Sequence, residues 1–277
     1  MGVFIWISVK EMLRKRLFII TIIVTGLYLA LYGTTLQYAQ NSLAASENVV
    51  LKAVLVPQIL TAGLYFSSLL VAVFAIFATV AMISGEIESG IIHTIVSGPI
   101  SRTQIVLGKF GGVSIVVALY AVALFSGIVM LVRFLTGQGI QAYWSGLATF
   151  TLLPIFLVGV TIAGSTILPT TANGITIFTL YALSLIGGVV EQIGTITENS
   201  TLLNMGILSS LVMPVDSIYR LVTSLVIDVE NNPLAGLIMI GPFGAQTMPS
   251  PWMMLYTLIY LLIALTAAVV AFKYRDI

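Results

Sequence analysis

The longest stretch of this sequence without a charged side chain runs from Phe134 to Val190. Similar uncharged stretches occur at Leu17–Ser46, Ala53–Gly85, Phe110–Val132 and Trp252–Phe272. A helix that crosses a bilayer needs about 20 consecutive residues that are mostly apolar. Because these stretches are continuously apolar rather than alternating, they predict membrane-spanning helices and not the strands of a barrel. The chain is therefore expected to be an all-α membrane protein.

The composition agrees with a surface that faces lipid. Of the 277 residues, 8% are charged and 59% are hydrophobic, and the mean hydropathy is +1.12. Soluble domains carry roughly a quarter charged residues, so a chain of this composition cannot cover a water-facing surface. The net charge of +1 gives no electrostatic footprint for nucleic acid. The sequence has no cysteine, which excludes disulfides, thiolate metal sites and cysteine nucleophiles.

The number of spans follows from the lengths of the apolar stretches. The longest stretch exceeds one helix, and the turn-forming residues between Pro169 and Gly174 divide it into two. The first apolar run is longer than the roughly 7–15 residues of a signal-peptide core, so we expect it to be retained as a span. We predict one transmembrane domain, residues 1–277, with six spans at about Leu17–Leu36, Pro57–Ser84, Phe110–Val132, Ser145–Leu168, Ala172–Val190 and Trp252–Phe272.

The distribution of lysine and arginine predicts the orientation, because these residues favour the cytoplasmic side of a membrane. With six spans, both termini lie on one side. That side receives eight basic residues, namely Lys10, Arg14, Lys15, Arg16, Arg102, Lys109, Lys273 and Arg275. The opposite side receives three, namely Lys52, Arg133 and Arg220. We therefore expect both termini to be cytoplasmic.

The first 16 residues predict a separate element ahead of the first span. Apolar residues recur at helical spacing at Ile5, Val9, Met12 and Leu13, while charged residues gather on the other side. Trp6 belongs to the residue types that lie at the level of lipid headgroups. This pattern predicts an amphipathic helix that lies along the cytoplasmic interface.

The segment Glu191–Pro251, on the predicted outer side, is more polar than the rest of the chain. Within it, Leu202–Met213 is apolar but too short to span, which indicates a re-entrant or interfacial helix. The charged residues Arg133 and Glu191 stand at predicted span ends, and we expect their side chains to extend toward the interface. The length and polarity of the segment favour contact with an extracytoplasmic protein.

The predicted cytoplasmic loop of residues 85–109 carries the most informative pattern. Two acids precede three isoleucines at helical spacing, namely Glu86, Glu88, Ile91, Ile92 and Ile95. A Gly-Pro pair follows, after which Ser101 can cap a new helix that runs to Lys109. A short amphipathic helix that protrudes from a membrane can dock into a groove on a soluble partner.

This loop resembles the first cytoplasmic loop of ABC-2-type transporter permeases. The residues that match the family pattern in order and spacing are Glu86, Glu88, Gly90, Pro99, Ile100, Ser101, Arg102, Gly108 and Lys109. The basic amphipathic N-terminus, the six spans and the charged C-terminal tail agree with the same family. The element from Pro214 to Arg220 is also similar to one found in the branch that includes permeases for nitrous-oxide-reductase maturation.

The resemblance implies a type V exporter-like fold, with an N-terminal interfacial helix and six transmembrane helices. It implies the permease subunit of an exporter in a bacterial or archaeal cytoplasmic membrane, paired with a second permease subunit and with cytoplasmic ATPase subunits. ATP and Mg²⁺ would bind to the ATPase, since this sequence has no phosphate-binding Gly-rich loop. No catalytic residue, cofactor or metal is expected in the chain. The residues expected to couple it to the ATPase are Glu86, Glu88, Gly90, Ile91, Ile92, Ile95, Pro99, Ser101, Arg102 and Lys109.

Other interpretations of the same residues remain open. Glu86 and Glu88 could be solvated loop charges, and Arg102 and Lys109 could be simple anchors at the interface. A secondary transporter or channel would function without an ATPase, but it commonly needs a charged residue within a span, and none falls in the middle of a predicted span. An intramembrane lipid-modifying enzyme would need a catalytic set, for which His93 with the two acids is the candidate.

Overall fold

The computed structural model describes residues 2–44, 49–92, 101–137, 139–140, 142–227, 238, 243–244 and 248–275. Within this part of the chain the regular elements are helices, without strands. In chain order they are α1 (Gly2–Arg14), α2 (Arg16–Ala44), α3 (Val49–Thr79), α4 (Ser84–Glu88), α5 (Arg102–Thr136), α6 (Tyr143–Ile167), α7 (Thr170–Ile196), α8 (Ser200–Val212), α9 (Val215–Ile227) and α10 (Pro251–Tyr274).

Among the described residues, six helices are long and apolar enough to cross a membrane. They are α2, α3, α5, α6, α7 and α10. This confirms the predicted fold class of an all-α membrane protein with six spans. Helix α6 is central, because it packs against α3, α5, α7, α9 and α10. Helices α2 and α10 lie at the periphery and keep many large apolar side chains exposed, as lipid-facing helices do.

Helix α1 lies against the start of α5. A short bend at Lys15 separates it from α2. Its Ser8 and Met12 are buried, whereas Trp6 keeps 69% of its surface exposed. The approach is close at Gly112 of α5, because a Cβ atom built there would stand 2.7 Å from the carbonyl oxygen of Ile5. The absence of a side chain at this position therefore lets the backbone of α1 contact α5 directly.

Helices α8 and α9 form a bent pair with an angle of 103° between their axes. Helix α8 runs antiparallel to the second half of α7, because Gly194 of α7 faces Leu202 whereas Gly187 faces Ser209. Helix α9 then returns toward the beginning of α6, where Val226 contacts Gly146. Since α6 and α7 are antiparallel neighbours, the pair begins and ends on the same side of the bundle, which makes it a re-entrant pair.

The depth of this re-entrant pair is fixed by one serine in α7. The Ser184 hydroxyl donates a hydrogen bond to the carbonyl of Met213 at 2.5 Å and accepts one from the backbone N–H of Asp216 at 3.2 Å. These bonds satisfy backbone groups that the turn between α8 and α9 would otherwise leave unpaired in an apolar environment. The sequence left two possibilities for Leu202–Met213, a re-entrant or an interfacial helix, and the structure shows the re-entrant one.

Candidate functional site

On the side of the bundle that the basic residues predict to be cytoplasmic, the ends of several spans meet around the short helix α4. Helix α3 ends at Thr79, a turn follows, and α4 carries Glu86 and Glu88. Gly90 has a φ of 74°, a left-handed conformation that glycine adopts without steric cost, and it ends this helix. The acids therefore stand on a fixed structural element close to the bundle.

Glu88 contacts the beginning of α7. Its carboxylate oxygen Oε1 accepts a hydrogen bond at 2.7 Å from the backbone N–H of Thr170, the first residue of α7. A carboxylate at this position pairs with an N–H group that has no partner within the helix, and it interacts favourably with the helix dipole. Glu88 thus connects α4 to the fifth span.

Glu86 forms an ion pair with Lys109 of α5, with Nζ and Oε1 2.5 Å apart. The same ammonium donates a hydrogen bond at 2.6 Å to the carbonyl of Met82, in the turn after α3. Lys109 is 4% exposed, so it does not extend to the interface as a simple anchor. It holds the end of α3, the acid on α4 and the third span together.

Hydroxyl and amide groups fasten the turn between α3 and α4 to the neighbouring spans. The Ser165 hydroxyl of α6 accepts hydrogen bonds from the backbone N–H groups of Ile83 and Ser84, at 3.1 and 2.9 Å. The Ser84 hydroxyl is hydrogen-bonded to that of Thr170 at 2.8 Å. The fully buried Asn173 of α7 donates to the carbonyls of Val80 and Thr161, at 3.1 Å each.

Arg102, the first residue of α5, contacts the C-terminus of the last span. Its Nη1 donates hydrogen bonds to the carbonyls of Phe272, Lys273 and Arg275, at 2.9, 3.1 and 2.8 Å. Carbonyls at a helix C-terminus lack partners within the helix and carry a partial negative charge, which a guanidinium satisfies. Arg275 in turn donates to the carbonyl of Thr166 in α6 at 2.5 Å.

The helix start at Ser101 is confirmed. Its hydroxyl accepts from the backbone N–H of Gln104 at 3.3 Å, and the Gln104 side chain reaches back to the backbone N–H of Ser101 at 3.4 Å. This reciprocal pair is a capping box. The capped start fixes the direction in which α5 leaves the loop.

The apolar part of the predicted docking helix is only partly described. Ile91 is 54% exposed, whereas Ile92 is buried in the core. His93, Ile95 and Pro99 lie outside the described residues. Glu86 and Glu88 have separate partners, and no group of three or more metal-ligating side chains occurs in the ranges that the structure describes.

A second charged cluster lies in the re-entrant region, and it was not predicted from the sequence. Arg220 of α9 pairs with both carboxylate oxygens of Glu191, at 2.5 and 2.8 Å, and its Nε lies 2.9 Å from Asp216. All three residues are less than 10% exposed. The Ser210 and Ser217 hydroxyls accept weaker bonds from the guanidinium, at 3.3 and 3.4 Å.

The prediction that Glu191 extends to the interface is wrong. Helix α7 continues past this residue to Ile196, and the carboxylate is neutralised within the protein by Arg220. Burial of a charge in such a place requires a partner of opposite sign. The one sequence signal for the cluster was the i, i+4 spacing of Asp216 and Arg220. Arg133, by contrast, is exposed as predicted.

The glycines of α7 and α8 make this cluster possible. Gly188 faces the carboxylate of Asp216, and Gly206 faces the backbone of Glu191. A Cβ at Gly206 would stand 2.7 Å from the Cα of Glu191. Gly187 of α7 likewise faces Ser209 of α8, so small residues let these two helices approach each other closely.

Comparison with known proteins gives one family. Residues 3–277 match the family described as ABC-2 family transporter protein. The match covers nearly the whole chain, including the segment around α4 and the re-entrant pair. No curated protein matches the sequence.

Proposed function

The chain belongs to the ABC-2 family and is the membrane-spanning permease subunit of an ABC transporter, and from this premise we propose that it is an exporter subunit whose segment 85–109 transmits the motion of a separate cytoplasmic ATPase to the spans. The residues that carry the coupling are Glu86, Glu88, Gly90, Ile91, Ile92, Ile95, Pro99, Ser101, Arg102 and Lys109. The proposed location is a bacterial or archaeal cytoplasmic membrane, with both termini in the cytoplasm.

The observation that carries this proposal is that three charged residues of one segment hold three different spans. Glu86 pairs with α5, Glu88 with the start of α7, and Arg102 with the end of α10. A displacement of this segment would therefore move the cytoplasmic ends of three spans together. A mechanical contact of this kind can bias a helix bundle between two arrangements.

The exposed Ile91 next to α4 supports a contact with a soluble partner, because a large apolar side chain there is available for docking. The family resemblance supplies the stoichiometry. Two ATPase subunits would each need one such segment, and this chain provides one. A second permease subunit, identical or related, would provide the other and complete the pathway.

A mild-detergent pull-down of the tagged chain from its native membrane tests the partnership. We expect a cytoplasmic ATPase in roughly stoichiometric amount, identified by mass spectrometry. Replacing Ile91 with aspartate should release the ATPase, because a charge would enter an apolar contact. The matched control is Ile167→Asp, at an exposed isoleucine that ends the fourth span on the same predicted side as Ile91. Absence of any ATPase from a folded, purified chain would refute the proposal.

Glu88→Gln tests the coupling itself. Glutamine can still accept the hydrogen bond from Thr170 but removes the charge at the start of α7, which affects helix stability by only about 0.3–1 kcal/mol. We expect the chain to remain folded and the ATPase to remain bound, while transport-coupled ATP hydrolysis falls roughly fivefold, which corresponds to about 1 kcal/mol of coupling. The measurement is ATPase rate in proteoliposomes.

The matched control for this test is Glu11→Gln, which neutralises an exposed carboxylate of α1 that is paired with its own helix neighbour Lys15. The control should leave the ATPase rate unchanged. Equal rates for Glu88→Gln and the unaltered protein would show that the contact between Glu88 and α7 has no part in coupling.

A further inference from the structure

The outward face of α1 combines cations with exposed apolar side chains. Trp6, Lys10 and Arg14 follow one another at intervals of four residues, so they lie along one side of the helix. A surface cavity of ≈ 380 Å³ lies there, lined by Ile7, Lys10, Glu11, Arg14 and Lys15. Neither the core of the bundle nor the segment around α4 uses this face.

The charge of this face is positive. Glu11 pairs with Lys15 at 2.8 Å along the helix. In the part of the chain that the structure describes, no carboxylate lies within ion-pair distance of Lys10 or Arg14. Both cations are exposed. The cavity therefore presents two available cations to an anion.

The apolar side chains indicate where that anion would be located. Val3 and Trp6 are each 69% exposed and Ile7 is 51% exposed, a pattern of side chains that partition into the headgroup and acyl boundary. The opposite side of α1 is occupied by its packing on α5 at Gly112. A cationic and apolar face directly before the first span fits a lipid surface better than a soluble protein.

We propose that this face of α1 binds the headgroup of an anionic phospholipid. Lys10 and Arg14 contact the phosphate, while Trp6 and Ile7 contact the glycerol and upper acyl region. The lipid holds α1 against α5 near Gly112, which lies one turn after Lys109 of the segment around α4. The inference is independent of the ATPase, and it depends on the proposed orientation only for the leaflet.

Quenching of Trp6 fluorescence by brominated lipids tests the proposal on the full chain. Trp144 and Trp252 are 78% and 76% exposed, so Trp144→Phe and Trp252→Phe leave Trp6 as the single reporter with little loss of packing. The chain is reconstituted in vesicles that contain equal amounts of phosphatidylglycerol and phosphatidylcholine, with bromine on one or the other lipid. We expect phosphatidylglycerol to bind beside Trp6 about fivefold more tightly than phosphatidylcholine.

The double variant Lys10→Gln with Arg14→Gln should bring this ratio close to one. The control Lys273→Gln, at an exposed lysine of the predicted cytoplasmic side, should leave the ratio unchanged. Added salt should lower the ratio in the unaltered protein, because exposed charges are screened.

A ratio near one in the unaltered protein would overturn the proposal. The proposal would also fail if the double variant kept the preference for phosphatidylglycerol but no longer retained the ATPase in the pull-down. The face of α1 would then be a contact with a protein. Since the fluorescence measurement uses the chain without the ATPase, failure of the lipid proposal is distinguishable from failure of the proposed function.

Discussion

Replacing Arg220 with methionine is expected to lower the free energy of unfolding by about 3–5 kcal/mol. Two buried carboxylates would then lose the one cation that pairs with them among the residues that the structure describes. Arg220 is 2% exposed and contacts both Glu191 and Asp216. Methionine keeps an unbranched apolar stem, but it is shorter than arginine and carries no charge. Unfolding in mixed detergent and SDS micelles, followed by circular dichroism, measures the change. Proteolysis in the α8–α9 pair should increase in parallel.

The control for Arg220→Met is Arg133→Met, which removes an arginine that is exposed at the end of α5. We expect less than about 1 kcal/mol for that substitution. A third variant that combines Glu191→Met, Asp216→Leu and Arg220→Met should recover much of the lost stability, since apolar side chains can replace a buried ion cluster. If Arg220→Met proves as stable as Arg133→Met, the cluster does not hold the re-entrant pair in place.

Gly206→Val is expected to have an effect of similar size, about 3 kcal/mol, through steric overlap rather than charge. The obstacle is backbone, because a Cβ at Gly206 would stand 2.7 Å from the Cα and 2.8 Å from the amide nitrogen of Glu191. No change of side-chain rotamer relieves such an overlap. Helix α8 must therefore move away from α7, and the pair of Glu191 with Arg220 must lengthen. The same SDS unfolding experiment measures the loss.

The matched control is Gly26→Val, because Gly26 lies within α2 and a Cβ there would meet no atom within 4 Å. Both substitutions change helix propensity by the same amount, so their difference isolates the packing between α7 and α8. Equal unfolding free energies for the two valine variants would contradict the close approach.

Several features of the protein were determined by its sequence alone. Apolar stretches such as Phe110–Val132 can lie only in lipid, and their lengths set the number of spans. The start of α5 at Ser101 was predictable because a capping box is a local interaction between residues three apart. The re-entrant helix could be anticipated at Leu202–Met213, because an apolar segment of that length cannot cross a bilayer.

The tertiary structure decided which charged groups meet. The sequence is equally consistent with Lys109 as a simple anchor at the interface. The position of α4 relative to α5 is what gives Lys109 its partner Glu86. The sequence-based prediction for Glu191 was wrong because its partner Arg220 comes 29 residues later, on a helix that turns back into the bundle. A residue pattern specifies periodicity and charge along one helix. The pairing of buried charges depends on the packing of separate helices, here on the glycines that let α7 and α8 approach each other.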